Sequence, residues 1–418
     1  MKIFIFIFCI VSFMFSMHSK LLMLVSMHRH GARSPEKYYN ATWFPIGKKQ
    51  LTPLGAHQMQ ALGSFYRTKY FSQLSMSESS KNYPIYISSP LQRTFDSAKN
   101  VYRGLYPNES HSHFNEIPVD FTQKWSWDSL NNVIHEGLPI LVQKDTSDYL
   151  FHGFKKNICP KADRLMDRKT RCEEAMTKLE ELRETFFPIL SKGLKKCMGI
   201  EIEPKKMSFS NMKGVYDVIV STKAHDVKVD FGLSDEQFEK LTKERRDFVL
   251  NYKLGDSELI RISTSVFFSL LRTFFNEKKK EALSDPHKHN NSLLKHVEIT
   301  PIFKQVNETP KFTSNMVLFS GHDTILNLIL NAMLTREEKD ELGSELDLKY
   351  GSHLDFELLE ENGVLYVMCY MNEKLLNLTK CNKGTKGKCT LDDFEGFLKD
   401  SILEDLQGEC SKVEGNNS

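Results

Sequence analysis

Leu21 to Val25 is an unbroken apolar run, the pattern of a strand buried on both faces. Thr52-Pro53-Leu54-Gly55 follows with a threonine suited to an N-cap and proline at the first helical position. Met59, Leu62, Phe65 and Tyr66 then recur at helical spacing and predict one apolar helix face. A second strand is expected through Ile85, Tyr86 and Ile87, after which Ser89-Pro90 repeats the cap-plus-proline start of a helix through Phe95, Ala98 and Val101. Met316-Val317-Leu318-Phe319 predicts a third buried strand, Gly321 a turn, Thr324 to Leu334 an apolar helix, and Leu365 to Tyr370 a further apolar strand. Strands alternating with helices predict an α/β fold with a mainly parallel sheet and helices on both faces.

The stretch 121–255 reads differently. It is rich in lysine and glutamate, and Met176, Leu179, Leu182, Phe186, Leu190 and Leu194 line one helical face, with Pro188 as a kink. Ser234 and Gln237 form a capping-box pattern ahead of Phe238 and Leu241. This is read as an inserted, mainly helical cap subdomain, 121–255, between two parts of an α/β core, 20–120 and 256–418. Leu259 to Phe275 predicts the long helix that returns the chain to the core, and Asp285-Pro286 to Ser292 a surface loop.

Composition narrows the setting. A formal charge of +2 over 418 residues gives no global basic field, which argues against a nucleic-acid partner. Lys278-Lys279-Lys280, flanked by Glu277 and Glu281, reads as a solvated helix end. Residues 1–19 read as a signal peptide: Lys2, then an apolar stretch of 13 residues from Ile3 to Phe15, too short for a bilayer, with Ser16 or Ser19 as the small residue for cleavage. No later stretch is apolar enough for a membrane span, so a secreted protein or one in a lysosomal or vacuolar lumen is expected. Sequons at Asn40, Asn108, Asn290, Asn307, Asn377 and Asn416 fit that compartment. So does the cysteine count: with Cys9 removed, the seven others are Cys159, Cys172, Cys197, Cys369, Cys381, Cys389 and Cys410, an odd set in which one stays unpaired. None of them forms a CxxC pair, which counts against a zinc ribbon or a redox motif.

Three polar groups sit where predicted strands end. His30 lies in Met27-His28-Arg29-His30-Gly31-Ala32-Arg33-Ser34-Pro35, between two guanidiniums, each a fork of donors that matches phosphate oxygens. Arg93 opens the helix after the second strand, and His322-Asp323 follow the third. Taken singly these are ordinary: a His–Asp pair is usually a surface hydrogen bond, and Arg93 alone a salt-bridging helix residue. Ligands in open α/β sheets bind outside the carboxyl ends of the strands, so all three groups converge if those strands are neighbours. His28 and His30 share a strand face as metal ligands would, but Arg29 and Arg33 would repel a cation, and no metal or cofactor is expected. Trp125 and Trp127 read as core or pocket wall, and His111, His113, His287 and His289 as solvated loop residues.

The chain resembles the histidine acid phosphatases, branch 2 of the histidine phosphatase superfamily. Their signature Arg-His-Gly-x-Arg-x-Pro is matched by Arg29-His30-Gly31-Ala32-Arg33-Ser34-Pro35, their distant arginine by Ser89-Pro90-Leu91-Gln92-Arg93, and their His-Asp pair by Ser320-Gly321-His322-Asp323-Thr324. The stretch Gln50 to Gly55 is also similar, and the likeness is good over 20–125 and 310–410 but loose between them. The resemblance implies a phosphoglycerate-mutase-like core and an acid phosphatase acting on phosphate monoesters, small molecules or phosphopeptides. It implies His30 as the nucleophile that becomes a phosphohistidine. Arg29, Arg33, Arg93 and His322 would hold the phosphoryl oxygens, and Asp323 would be the proton donor, without a metal. A phytase or inositol-polyphosphate phosphatase is the alternative: Ala32 is common there in phytases, although the middle segment shows no evident cluster of extra basic residues. A non-catalytic phosphate-binding relative is disfavoured because both His30 and Asp323 are present. By position Cys159–Cys410 and Cys381–Cys389 resemble two family bridges. A third is missing, since Ser352 stands where vertebrate members carry cysteine, which leaves Cys172 and Cys197 to pair locally and Cys369 as a buried free thiol. Members are often dimers, and no homodimer interface is legible in the sequence.

Overall fold

The protein is represented by a computed structural model that describes residues 19–76, 83–108, 114–119, 138–283, 314–381 and 387–412. In chain order its elements begin with β1 (Lys20–Arg29), α1 (Pro53–Tyr70), β2 (Ile85–Ser88), α2 (Gln92–Leu105), β3 (Phe114–Val119) and β4 (Leu138–Gln143). Helices follow: α3 (Tyr149–His152), α4 (Pro160–Thr170), α5 (Glu173–Met198), α6 (Phe209–Ala224), α7 (Asp235–Phe248) and, after a π-helical turn Val249–Lys253, α8 (Ser257–Leu283). The chain closes with β5 (Met316–Gly321), α9 (Asp323–Met333), α10 (Arg336–Leu342), β6 (His353–Glu361), β7 (Val364–Met371), β8 (Lys374–Leu375), β9 (Cys389–Thr390), α11 (Leu391–Ser401) and α12 (Leu406–Ser411).

One sheet carries all the strands, in the order β3-β4-β2-β5-β1-β6-β7-β8, with β9 beside β7. The run from β3 to β1 is parallel, and β6 and β7 add antiparallel strands at the other side. The predicted first, second and third strands are therefore adjacent, as β2-β5-β1, and their carboxyl ends lie level: Arg29 pairs with Gly321, and Ser88 with Ser320. Alternate residues of β1 feed two cores. Met23, Val25 and Met27 join α8, α9 and α11, while Leu24 joins α1 and α2 on the opposite face. At about 25 cal/mol per Å², complete burial of each such side chain contributes about 2 kcal/mol, which is why β1 reads as an unbroken apolar run.

The helical segment differs in two ways from the expected insertion 121–255. Leu138–Gln143 lies within that range but forms β4, paired with β2 in the central sheet. Helices α3 and α4 share the main core, whereas α5, α6 and α7 enclose a core of their own around Phe186, Phe187, Leu190, Val215, Val218 and Leu241. Helix α5 runs through Pro188, and the Ser234–Gln237 capping box forms at the start of α7.

Bridges join Cys159 to Cys410 and Cys381 to Cys389. The expected Cys172–Cys197 bridge does not exist. Cys172 caps the N-terminus of α5 and Cys197 sits in its last turn, so the helix holds them roughly 37 Å apart at 1.5 Å per residue. Three thiols are therefore free among the described residues, and Cys369 is the buried one, on the core side of β7. Among the sequons, Asn108 is exposed, and Asn40 and Asn377 are half-buried in loops, Asn40 accepting from the Thr42 N–H. The signal stretch before residue 19, Trp125 and Trp127, the loop Asp285–Ser292, His111, His113, His287 and His289, and Asn290, Asn307 and Asn416 lie outside the described residues.

Candidate active site

The site begins where β1 stops. Arg29 is its last residue, and the His30 N–H donates to the Gly321 carbonyl, which ties the turn after β1 to the turn after β5. The turn then lies against the start of α1. The Thr52 N–H and hydroxyl both donate to the Ala32 carbonyl, and the Ala32 N–H donates to Gln58 Oε1 at 2.9 Å. Gly31 and Gly55 make this approach possible: a Cβ on Gly31 would stand 2.3 Å from the Gly55 carbonyl oxygen, and one on Gly55 2.0 Å from that of Ala32. Thr52 caps α1 as its sequence predicts.

His30 is buried, and its Nδ1 lies 2.8 Å from the Gly31 carbonyl oxygen. A carbonyl only accepts, so Nδ1 carries the proton and the lone pair is left on Nε2, the nitrogen that can attack. Burial and the charges of Arg93, Arg29 and Arg33 hold the imidazole well below its ordinary pKa, so it stays neutral in acid. His322 caps α9 from outside, with Nε2 2.8 Å from the Ser89 hydroxyl, and its ring centroid is 5.5 Å from that of His30. Ser89 was expected to cap α2, but Leu91 takes that position, and the Ser89 hydroxyl meets Thr94 and His322 instead.

The arginines differ in their partners. Arg33 forms two bonds with Asp217 of α6, at 2.9 and 3.2 Å. Arg29 stacks over the Tyr350 ring at 4.6 Å, donates to the Leu348 carbonyl and reaches Asp323 at 3.5 Å. Arg93 has no protein acceptor among the described residues, and burial with the nearby Arg33 lowers its pKa to about 10. The Nε of all three is buried and unpaired. Three guanidiniums gathered around one imidazole repel one another, a cost that a bound anion would remove. Asp323, at the first turn of α9, is pushed up by burial but pulled further down by the charges of Arg29, Lys213 and Arg245, so it rests as a carboxylate well below the usual range.

Every sequence-predicted residue of the site, His30, Asp323, Arg29, Arg33, Arg93 and His322, lines one open cleft of about 2110 Å³. Asp217 and Tyr350 have no counterpart in the sequence reading; they act on the site through contacts made by the helical segment and a loop, for which a linear motif leaves no mark. Ser89 lies in the motif that ends at Arg93, but its bond to His322 shows only in the fold. The helical segment also brings Lys213, Lys243 and Arg245 to the cleft wall, none of them ion-paired among the described residues. These three residues are scattered over α6 and α7 in sequence, so no basic cluster is evident along the chain. No group of histidine, cysteine or carboxylate residues among the described ones could hold a metal ion.

Three buried histidines make stability depend on pH. Burial lowers His28 to about 3, its His353 neighbour acting in the same direction, and it holds His30 and His322 well below 6.5 with the guanidiniums' help. Below pH 6.5 the unfolded chain takes up protons that the folded one refuses, so stability falls as pH falls. Each histidine should cost about 1 kcal/mol between pH 6.5 and 5.5. Denaturant titrations of the ligand-free protein at both pH values should show this drop, and a stability that rose on acidification would contradict it.

Residues 20–372 match the family described as the histidine phosphatase superfamily (branch 2). The chain is 24% identical to a lysosomal acid phosphatase of Xenopus laevis, over 94% of this chain and 79% of that protein. It is also 24% identical to a prostatic acid phosphatase of Homo sapiens, over 94% of this chain and 88% of the relative. Its fold is similar to that of the phytase from Citrobacter braakii, with a TM-score of 0.59 and 17% identity over 94% of this chain and all of that one.

Proposed function

The chain belongs to branch 2 of the histidine phosphatase superfamily, and from that premise we propose that it hydrolyses phosphate monoesters through a phosphohistidine at His30. The observation that carries this is the convergence of Arg29, Arg33 and Arg93 in one cleft around an imidazole whose unprotonated nitrogen is Nε2. In the first step His30 Nε2 attacks phosphorus, the P–O bond to the alcohol breaks, and Asp323 gives its proton to the departing oxygen. The guanidiniums and His322 balance the charge on the three non-bridging oxygens. In the second step water attacks phosphorus, Asp323 takes the water proton, the P–N bond breaks and phosphate leaves.

Asp323 rests ionised, so its proton has to arrive with the substrate. A monoester monoanion carries one, and its second ionisation lies at about pH 6. Activity should therefore favour acid solution, as in a lysosomal or secretory lumen reached through the signal stretch, where Asn40, Asn108 and Asn377 would be glycosylated. The test is the partition of the phosphoryl group between water and an added alcohol. A shared phosphoenzyme gives the same ratio whatever leaving group the substrate carried; a ratio that followed the leaving group would exclude a common intermediate.

The second reading is hydrolysis of a polyphosphorylated alcohol such as an inositol polyphosphate. Lys213, Lys243 and Arg245 on the cleft wall favour it, since they are placed to meet further phosphates. If they do so, kcat/KM on inositol hexakisphosphate should exceed that on an aryl phosphate at least tenfold and fall steeply with added salt. Equal values on the two substrates would leave the simple monoesterase.

A further inference from the structure

Beside His322, and out of ring contact with His30, stands an imidazole to which the reaction above gives no task. His152 ends the short helix α3, and its ring centroid is 5.1 Å from that of His322, with the two planes tilted by 36°. Its Nδ1 is hydrogen-bonded to Asp148, a fully buried carboxylate whose other oxygen accepts the Phe151 N–H. A carboxylate accepts, so Nδ1 carries a proton and the ring is fixed in one orientation. Nε2 has no partner among the described residues and is not one of the sealed-off polar atoms, and His152 lines the cleft. The free nitrogen therefore opens on the substrate's space.

Position decides what it meets. In an in-line displacement the leaving group departs opposite the nucleophile. His322 touches both rings, at 5.5 Å from His30 and 5.1 Å from His152, while His30 and His152 make no ring contact with each other. His152 thus lies farther from the attacking ring than His322 does, in the cleft that must also hold the alcohol. We propose that His152, oriented by Asp148, is a leaving-group contact that selects phosphate esters of polyols by bonding a hydroxyl on the carbon next to the ester. A hydroxyl both donates and accepts, so it suits Nε2 whether or not that nitrogen carries a proton. The inference rests on the phosphatase reading but has its own failure.

The test compares 2-hydroxyethyl phosphate with propyl phosphate, which has the same shape but a methyl group in place of the hydroxyl. Wild type should favour the hydroxylated ester in kcat/KM by about tenfold, one well-made hydrogen bond. His152→Phe should abolish that preference by lowering kcat/KM on the hydroxylated ester about tenfold more than on propyl phosphate, with inorganic phosphate still an inhibitor. Asp148→Asn, which keeps the ring but loosens it, should reduce the preference part of the way. No preference in the wild type would overturn the proposal without any variant. A His152→Phe protein that lost inorganic phosphate binding would overturn it too, placing the ring on the phosphoryl group. If neither ester released phosphate, the phosphatase reading itself would have failed.

Discussion

His30→Ala lowers aryl phosphate hydrolysis at pH 5 by roughly 10^4-fold or more, the scale on which removing a covalent nucleophile acts. The loss falls on kcat. Arg29, Arg33 and His322 do not depend on the His30 ring for their positions: Arg33 is held by Asp217, Arg29 by Tyr350 and the Leu348 carbonyl, and His322 by Ser89. Inorganic phosphate should therefore still bind the variant and raise its thermal midpoint as it does the wild type's. Bound phosphate with chemistry abolished separates a nucleophile from a mere ligand. Free imidazole offered to the cavity should restore part of the rate, because the attacking group would be replaced in kind. Full activity in His30→Ala would end the phosphohistidine mechanism.

The parts of the site that could be read from the chain are those that one turn holds together. Arg29, His30 and Arg33 lie within five consecutive residues at the end of a strand, and His322 and Asp323 directly follow another, so their spacing records their placement. That β2, β5 and β1 would be neighbours was legible only as a condition, since adjacency in a sheet is fixed by packing over residues far apart. Strand β4 was assigned to the helical insertion because nothing along the chain separates a sheet strand from the segment around it. The Cys172–Cys197 pairing went wrong for a related reason. The parity of the cysteines called for a partner, but the apolar face from Met176 to Leu194 already implied a helix long enough to hold the two apart. His152 shows the opposite case: Asp148 and His152 stand four residues apart, the spacing at which side chains meet on a helix, yet only the fold brings them beside His322.

Asp323→Ala gives an effect that depends on what leaves. An alkoxide cannot depart without a proton, so kcat/KM on an alkyl phosphate should fall by about 10^2- to 10^4-fold, the usual scale of general acid catalysis. A nitrophenolate leaves unaided, so kcat/KM on the nitrophenyl ester, which reports only the steps through phosphorylation, should fall less than tenfold. The second step still needs a base to take the proton from water, whatever left in the first. In the variant the phosphoenzyme therefore drains slowly: with the nitrophenyl ester, one equivalent of phenol should appear in a burst, followed by a low kcat and a low apparent KM. Removing the carboxylate also frees Arg29 from its 3.5 Å ion pair, so inorganic phosphate should bind at least as tightly as to the wild type. Equal losses of kcat/KM on the alkyl and nitrophenyl esters would mean that Asp323 does not donate the proton. Its place at the first turn of α9, against Arg29, would then be an electrostatic one, keeping that guanidinium aimed at the phosphoryl group.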